Sequence, residues 1–475
     1  MAWVVAFGLL AGAMVVGCEP RVYEDPVGRM MDRGAQPPVR WAAARQAAET
    51  LADDPTRIAA LKQLVIAPRH PDDLRAYAID ELIEHDESEA RAFLRQRIGR
   101  LNNWPTIEHL LDRAVERRWV DFTPAIVRSY AREAWAYEDA ARPERAALAS
   151  LHPDKTPAEA ALAVFADADG DGDGPNPTER ASAWVLLGRL TGSREAMIAM
   201  LDSVEAGDPM AADLEAGLTE LAVMPRHTET IAWLQVLRTE PYRPLWRLAA
   251  EAAAGLSAAQ REGLEVRHVP LLARLRASGD ERLGLSRAAM WRRVEGRLRG
   301  REMHLKADDA RDIAEPQRLE DWSEELSWGD LLVIDAALDA MDRGAARATW
   351  FEQAERDRGD ASTEYGGLVT WDEGGSLTAR PYTAMLRDHD RKFIPPAAMT
   401  TDGYAALAQY HFHAQRYANA RYAGPGRGDL KRVADRQRVN GLVLTFVGEG
   451  RLNVDFYRHG RVSVDLGTIE RGGAR

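Results

Sequence analysis

The chain has 475 residues, of which 45% are hydrophobic and 29% are charged, and its formal net charge at pH 7 is -12. This length is sufficient for two or three domains with a sizeable core. The acidic balance argues against a general nucleic-acid-binding protein, so no nucleic-acid partner is expected. The single cysteine, Cys18, excludes a framework of intramolecular disulfides.

The N-terminus has the pattern of a secretion signal. Residues 2–17, AWVVAFGLLAGAMVVG, form an uncharged apolar run that is short for a membrane span and typical of a signal-peptide core. The residues VVGC, which end at Cys18, resemble a bacterial lipobox. This resemblance implies a lipoprotein signal peptide over 1–17, lipidation of Cys18, and a protein anchored by lipid in the bacterial cell envelope, facing the periplasm or the exterior. Because no Lys or Arg precedes Cys18, a buried cysteine after an uncleaved anchor is the alternative.

The segment 18–40 is predicted to be a flexible tether between the lipid and the folded body. It is polar, it has prolines at positions 20, 26, 37 and 38, and it shows no sustained periodicity.

Residues 41–315 are predicted to form an all-α domain of short amphipathic helices. Ile58, Leu61 and Leu64 recur at helical spacing, and Pro68 ends that pattern. Paired, repeated helices of this length resemble a HEAT-type α-solenoid, in which each unit buries its apolar face only against its neighbours. Such a domain is expected to bind a protein partner or substrate. An irregular helical bundle is the alternative, since no strict period is visible.

Residues 316–475 are predicted to form an α+β domain, because the pattern changes from helical to alternating at Glu364. The strands GLVTW and SLTAR flank a turn at 372–375, and three further strands, GLVLTFV, RLNVDFY and RVSVDLG, close the chain. An apolar helix within 321–341 is expected to pack beneath this sheet.

A candidate metal site lies between these strands. In the strand within AALAQYHFHAQRY, successive side chains alternate, so His411 and His413 project to one face while Phe412 packs on the other. Asp429 opens a helix-like run and offers an oxygen ligand. Two His and one Asp leave a fourth tetrahedral position open, as catalytic zinc sites do.

Together with Glu364, these residues resemble the JAMM or MPN+ zinc metallopeptidases. That family carries a Glu at a strand start, then a strand that ends in His-x-His, then Ser-x-x-Asp at a helix start. The resemblance implies that Glu364 is the general acid/base and that Zn²⁺ is held by His411, His413 and Asp429. It further implies hydrolysis of an amide bond in a peptide or protein substrate.

Two positions depart from the family pattern. Ala414 replaces the usual Pro, and Gly426 replaces the Ser that helps stabilise the tetrahedral intermediate in the family. Three hypotheses therefore stand: a membrane-tethered zinc metallopeptidase, a non-catalytic lipoprotein scaffold with an inactive JAMM-like domain, and a structural or storage metal site. Taken singly, Asp429 is also a natural helix N-cap, Glu364 suits a solvent-facing edge strand, and the His pair suits a polar strand face.

Overall fold

The structure is a computed structural model that describes residues 22–132, 138–167, 175–306, 316–385, 393–436 and 440–472. The predicted signal peptide over 1–17 and Cys18 lie outside the described residues. The chain folds into two compact units, Met1–Pro157 and Ala158–Arg475. None of the helices in the described part of the chain is both long and apolar enough to cross a membrane.

The first unit is built from helices that contact their neighbours in sequence. Its α-helices are α1 Pro26–Met31, α2 Pro37–Thr50, α3 Pro55–Ile66, α4 Asp72–His85, α5 Glu87–Ile98, α6 Trp104–Glu116, α7 Thr123–Ala131 and α8 Pro143–Leu151. Several begin with proline, which suits the first helical position because its missing N–H has no intrahelical partner there. Helix α3 packs against α4, α4 packs against α5 and α6, and α6 packs against α8. The prediction of a helical region is confirmed.

The structure corrects the predicted flexible tether over 18–40. Asp25 caps α1, and Met30 in that helix is buried. The guanidinium Nε of Arg40, on α2, donates to the Met30 carbonyl at 2.8 Å. Pro26, Pro37 and Pro38, which the prediction took as breaks, stand at helix starts, so the chain from Asp25 onward belongs to the folded unit.

A buried arginine at the fourth position of a helix recurs in the first unit. Arg40 on α2 and Arg75 on α4 each donate to a carbonyl near the end of the preceding helix, Met30 and Val65 respectively. Each side chain satisfies a carbonyl that lacks an intrahelical partner. The same kind of hydrogen bond therefore links α2 to α1 and α4 to α3.

The second unit contains helices and the sheet. Its helices before the sheet are α9 Pro157–Ala166, α10 Pro177–Thr191, α11 Arg194–Leu201, α12 Pro209–Glu220, α13 Thr228–Leu237, α14 Arg243–Ala254, α15 Ala258–Arg261, α16 Val269–Ser278, α17 Arg287–Leu298, α18 Trp328–Asp342 and α19 Gly344–Gly359. The predicted domain boundary at 315/316 lies inside this unit. Residues before it bond to residues after it, since the Trp233 indole donates to the Tyr404 carbonyl at 3.3 Å.

A buried ionic cluster joins the helices to the sheet within the second unit. Arg267 donates to Asp330 on α18 and to the side chain of Asn440, which precedes a strand. Arg267 and Asp330 are each about 1% exposed as side chains. Although burial raises the pKa of the Asp330 carboxyl, the charges of Arg267 and Arg458 hold that pKa well below its ordinary value.

Six strands form one mixed sheet. They are β1 Gly366–Trp371, β2 Leu377–Tyr382, β3 Ala408–His413, β4 Gly441–Gly448, β5 Arg451–Arg458 and β6 Val462–Glu470, with α20 Ala397–Asp402 and α21 Arg427–Arg436 before and after β3. The spatial order is β2-β1-β3-β4-β5-β6, and β3 and β4 are parallel while the other neighbours are antiparallel. The predicted strands and the predicted α+β character are confirmed.

The sheet carries helices on both faces. On one face, Trp350 of α19 meets the Tyr410 ring edge-on at 6.1 Å, and Tyr410 meets Phe412 at 5.6 Å. On the other face, Leu430 of α21 packs against Val443 and Tyr457. The expected helix within 321–341 is α18, which packs against α19 and β2. His411 and His413 lie on the face opposite Phe412, as predicted, since alternate residues of β3 face opposite ways.

Candidate metal centre

The three predicted ligands come together in the structure. His411 and His413 lie at the end of β3, and Asp429 is the third residue of α21. Each offers a ligand atom, and these atoms all lie within 4.8 Å of one another. His411 Nε2 is 3.4 Å from Asp429 Oδ1, and His413 Nε2 is 3.8 Å from Asp429 Oδ2. Ligands of a tetrahedral zinc ion are about 3.3 Å apart, so small side-chain movements would complete such a site. We call these three residues the candidate metal centre.

His411 is held on a central strand. Its register partners are Gly366 on β1 and Val443 on β4. The imidazole is perpendicular to the Tyr457 ring, with centroids 6.2 Å apart, and its side chain is 10% exposed. The His411 imidazole is therefore largely shielded from solvent.

His413 is oriented by a backbone carbonyl. Its Nδ1 is 2.8 Å from the carbonyl oxygen of Tyr422. A carbonyl can only accept a hydrogen bond, so Nδ1 carries the proton and Nε2 is the nitrogen available to a metal. Outer contacts of this kind fix the tautomer and ring orientation of metal-binding histidines. The Asn419 side chain donates to the His413 carbonyl at 2.9 Å and so holds the chain that follows β3.

Asp429 is oriented by the start of its own helix. Its Oδ2 accepts a hydrogen bond from the Gly426 amide at 2.8 Å, which is one half of a capping box. Gly426 is the residue before α21, so Asp429 caps the helix from the third helical position and is not itself the N-cap. The neighbouring Leu430 is buried against β4 and β5. Packing and capping thus direct the Asp429 carboxylate toward β3.

The titration of these groups suits metal binding. Burial by itself would raise the pKa of Asp429, but His411, His413 and the Gly426 amide hold that pKa well below its ordinary value. Burial, and then the charge of His411, lowers the pKa of His413 below its ordinary value. Asp429 is therefore a carboxylate and His413 a neutral imidazole near neutral pH, which are the forms that bind metals.

Glu364 lies beside this group without belonging to it. Glu364 stands two residues before β1, whose first residue, Gly366, pairs with His411 on β3. Because the two strands are antiparallel, the chain at Glu364 runs beside the His413 end of β3. Glu364 is 8% exposed, and its Oε2 accepts from the Phe393 amide at 3.1 Å. Because β1 lies between β2 and β3, the alternative of a solvent-facing edge position is wrong.

Several groups that shape the site were not predicted from the sequence. The Tyr422 carbonyl and the Phe393 amide are backbone groups, which any residue carries, so the sequence holds no signal for them. Tyr457 is different: alternation along RLNVDFY places it on one face with Asp455, and that pattern was open to prediction. At Gly426, an added Cβ would have the Asp429 Oδ2, 3.5 Å away, as its nearest neighbour.

The structure therefore contains a group of two imidazoles and one carboxylate that can bind a metal ion. Comparison of the chain with models of protein families, with curated proteins and with solved structures finds no match.

Proposed function

We propose that this chain is a membrane-tethered, zinc-dependent metallopeptidase or amide hydrolase of the JAMM type. The observation that carries the proposal is the convergence of His411, His413 and Asp429, whose ligand atoms lie within 4.8 Å of one another. Two of these residues have outer hydrogen bonds that aim their ligand atoms inward: His413 donates to the Tyr422 carbonyl, and Asp429 accepts from the Gly426 amide. A polar strand face without a ligand would not require this arrangement.

Zinc is the metal that this donor set favours. Two imidazoles and one carboxylate match catalytic zinc sites with three protein ligands, which keep a fourth position open. When bound, zinc supplies a lowered pKa for water, near 7, and polarises a substrate carbonyl as a Lewis acid.

Glu364 is proposed as the general acid/base. Its carboxylate is buried, and the Phe393 amide fixes one of its oxygens. In this role it takes a proton from the attacking water as the C–O bond forms, and it passes that proton to the leaving amine when the amide C–N bond then breaks. Its position beside the His413 end of β3 follows from the register of β1 and β3.

The helical part is proposed to be a HEAT-like repeat domain that binds the substrate or a protein partner. The recurrent bonds from Arg40 and Arg75 to the preceding helices, and packing largely between successive helices, support a repeat. With lipidation at Cys18, such a domain would work at the envelope membrane, where a protein or peptide substrate outside the cytoplasm is the proposed target.

One observation favours a second candidate, a non-catalytic lipoprotein scaffold. Gly426 stands where the JAMM pattern has Ser, so the residue before α21 has no hydroxyl to stabilise a tetrahedral intermediate. In that case the candidate metal centre would stabilise the sheet without catalysis.

A peptidase assay on the zinc-loaded protein separates these candidates. Cleavage of a peptide library by the parent, lost in Glu364→Gln with an unchanged zinc content, would establish the enzyme. Zinc binding without cleavage of any peptide, and without an effect of Glu364→Gln, would favour a structural or storage metal site, and absence of zinc from the reconstituted parent would favour the scaffold.

A further inference from the structure

The loop of residues 414–426, which we call the ligand loop, determines where two of the three candidate ligands lie. It begins directly after His413 and ends at Gly426, the residue before α21 and Asp429. Its first half is fastened to the sheet, because the Asn419 amide donates to the Phe446 carbonyl at 2.9 Å. Its second half carries the Tyr422 carbonyl that contacts His413. The contacts of this second half therefore bear directly on the candidate metal centre.

The second half of the ligand loop is held at Gly424. Gly424 lies against the carboxylate of Asp455 on β5, and its amide acts to lower the pKa of that carboxyl. Gly424 has a φ of +83°, and an added Cβ would lie 2.0 Å from Gln317 Nε2 and 3.6 Å from Asp455 Oδ1. A positive φ and a close side-chain contact both require glycine here. The loop is thus seated on Asp455 and Gln317 at a position where a larger residue would be strained and would displace the end of the Gln317 side chain.

Asp455 belongs to a buried acidic pair with Asp465, the residue opposite it on β6. Both are fully buried. Asn453 donates to both carboxylates, at 3.0 Å and 3.1 Å, and Gln317 donates to Asp455 at 3.3 Å. Asp465 also accepts from the backbone amides of His304, at 2.6 Å, and Gly467, at 2.7 Å. Among the contacts of the described residues, Asp455 is the member of this pair that lies against the ligand loop.

Burial of this pair is unfavourable by itself. Burial, and then the charge of Asp465, raises the pKa of Asp455 well above its ordinary value, and burial raises the pKa of Asp465. Two facing carboxyls in an interior destabilise the fold relative to apolar residues of similar size. Strongly shifted carboxyls are common where a site needs a particular geometry.

Asp455 is close to the candidate metal centre but does not reach it. Along one row of the sheet, His411 pairs with Val443 and Val443 pairs with Asp455. Paired residues share a face, so His411 and Asp455 project to the same side. Two strand spacings of about 4.8 Å place their backbones about 10 Å apart, and Asp455 is not part of the group whose ligand atoms lie within 4.8 Å of one another. The contact with Gly424 links Asp455 to the ligand loop.

We propose that Asp455 is a positioning residue for the candidate metal centre. It holds Gly424, and through the ligand loop it keeps the Tyr422 carbonyl on His413 and the Asp429 carboxylate facing β3. This inference rests on the proposed function, because it requires that the centre binds zinc. It adds a residue that neither the alternation of β3 nor the resemblance to metallopeptidases identifies.

The test compares the zinc affinity of the full chain with that of three variants, by competition with a chromophoric chelator. Asp455→Ala removes the group that Gly424 and Gln317 contact and is expected to weaken zinc binding by about 10-fold or more, as loss of an outer contact does. Asp455→Asn keeps the shape of that group and an oxygen that can accept from Gln317, and it is expected to retain most of the affinity. Asp465→Ala removes the same atoms from the facing residue, which does not contact the loop, and is expected to bind zinc like the parent.

The absorption spectrum of the Co²⁺-loaded proteins adds a readout of ligand geometry, and this spectrum is expected to change in Asp455→Ala alone. If Asp455→Ala does not fold, Gly424→Ala breaks the same link from the loop side and should show the same loss of affinity. Parent-like zinc binding by a folded Asp455→Ala, or an equal loss in Asp465→Ala, would overturn the positioning role. Absence of zinc binding by the parent would overturn the proposed function, and this inference with it.

Discussion

The Nδ1 atom of His413 lies 2.8 Å from the carbonyl oxygen of Tyr422, a group that can only accept a hydrogen bond. This contact sets the tautomer of the imidazole before any metal arrives. Nε2 is left without a proton and lies 3.8 Å from Asp429 Oδ2. A histidine in this state is prepared for metal binding, since binding does not have to displace a proton from the nitrogen that is used.

The titration of His413 follows from burial and from the charge of His411, which lower its pKa although the Tyr422 carbonyl acts to raise it. Because burial and the charge of His411 lower the pKa of His413, its imidazole should be neutral at pH 7 and take up a proton only below about pH 6.5. Zinc affinity should therefore fall on acidification through that lowered pKa, as protons compete with the metal. Nitrogen-15 NMR of the metal-free protein, with His413→Gln to assign the signals, should show the Nδ1-protonated form at pH 7. A pKa above 6.5, or an Nε2-protonated ring, would contradict the assignment.

Replacement of Glu364 should separate catalysis from metal binding. Glu364→Gln keeps an oxygen that can accept from the Phe393 amide but cannot take a proton from water. We expect kcat to fall by about 10²- to 10⁴-fold, the usual contribution of a general base, while zinc content stays the same. The measurement is kcat beside metal analysis of the same samples. Unchanged turnover would leave Glu364 without a catalytic role.

Restoring the family serine should test the departure at Gly426. An added Cβ has only the Asp429 Oδ2, at 3.5 Å, as its nearest neighbour, so Gly426→Ser fits without rearrangement. A serine at this N-cap position should stabilise α21 by a few tenths of a kcal/mol. If the hydroxyl reaches the reacting carbonyl, kcat should rise on the order of 10²-fold, as expected for one oxyanion donor.

The control for that prediction is Gly426→Ala, which adds the Cβ alone. It separates the effect of the hydroxyl on turnover from the effect of the side chain on the backbone. Equal turnover in the serine and alanine variants would show that the hydroxyl does not act on the substrate.

The buried pair of Arg267 and Asp330 should dominate the stability of the junction between helices and sheet. Arg267→Met removes a positive charge that balances the buried Asp330 carboxylate and should lower the free energy of unfolding by about 3–5 kcal/mol. Arg276→Met breaks an exposed pair with Glu251 and should change the free energy of unfolding by about 0–1 kcal/mol. Denaturant titrations of both variants measure the difference. Equal, small effects would show that the buried pair is dispensable.

The same pair predicts the direction of the acid response. Folding lowers the pKa of Asp330. The ionised carboxylate therefore stabilises the fold above the pKa of Asp in the unfolded chain, about 3.9, and this stabilisation is lost as the pH falls toward the pKa of Asp330 in the folded protein. The stability difference between the parent and Arg267→Met should therefore shrink on acidification below pH 4. A difference that is constant with pH would contradict this assignment.

The sheet and the candidate metal centre could be predicted because local patterns determine them. Alternation along β3 is sufficient to place His411 and His413 on one face, and the Gly-rich break before Asp429 is sufficient to place a helix start. The turn at 372–375 likewise follows from its own residues, Asp and Gly. These features depend on neighbours in sequence, so the sequence alone contains them.

The features that the sequence did not reveal depend on distant neighbours. Asp455 and Asp465 face each other only because of the register of β5 and β6, which includes an irregularity between Asn453 and Asp455. Prolines near residues 26 and 37 were interpreted as breaks, yet Arg40 and its bond to α1 show that they start helices. Proline suits both roles, and tertiary packing decides between them.

The most direct test of the central claim is the metal content of the purified chain beginning at Glu19. The parent should hold about one zinc ion per chain, as expected for a single site with three protein ligands. The double variant His411→Ala/His413→Ala should hold none, while His85→Ala, a partly exposed histidine in the first unit, should match the parent. Absence of metal from the parent after zinc reconstitution, or equal metal in the double variant, would contradict the account.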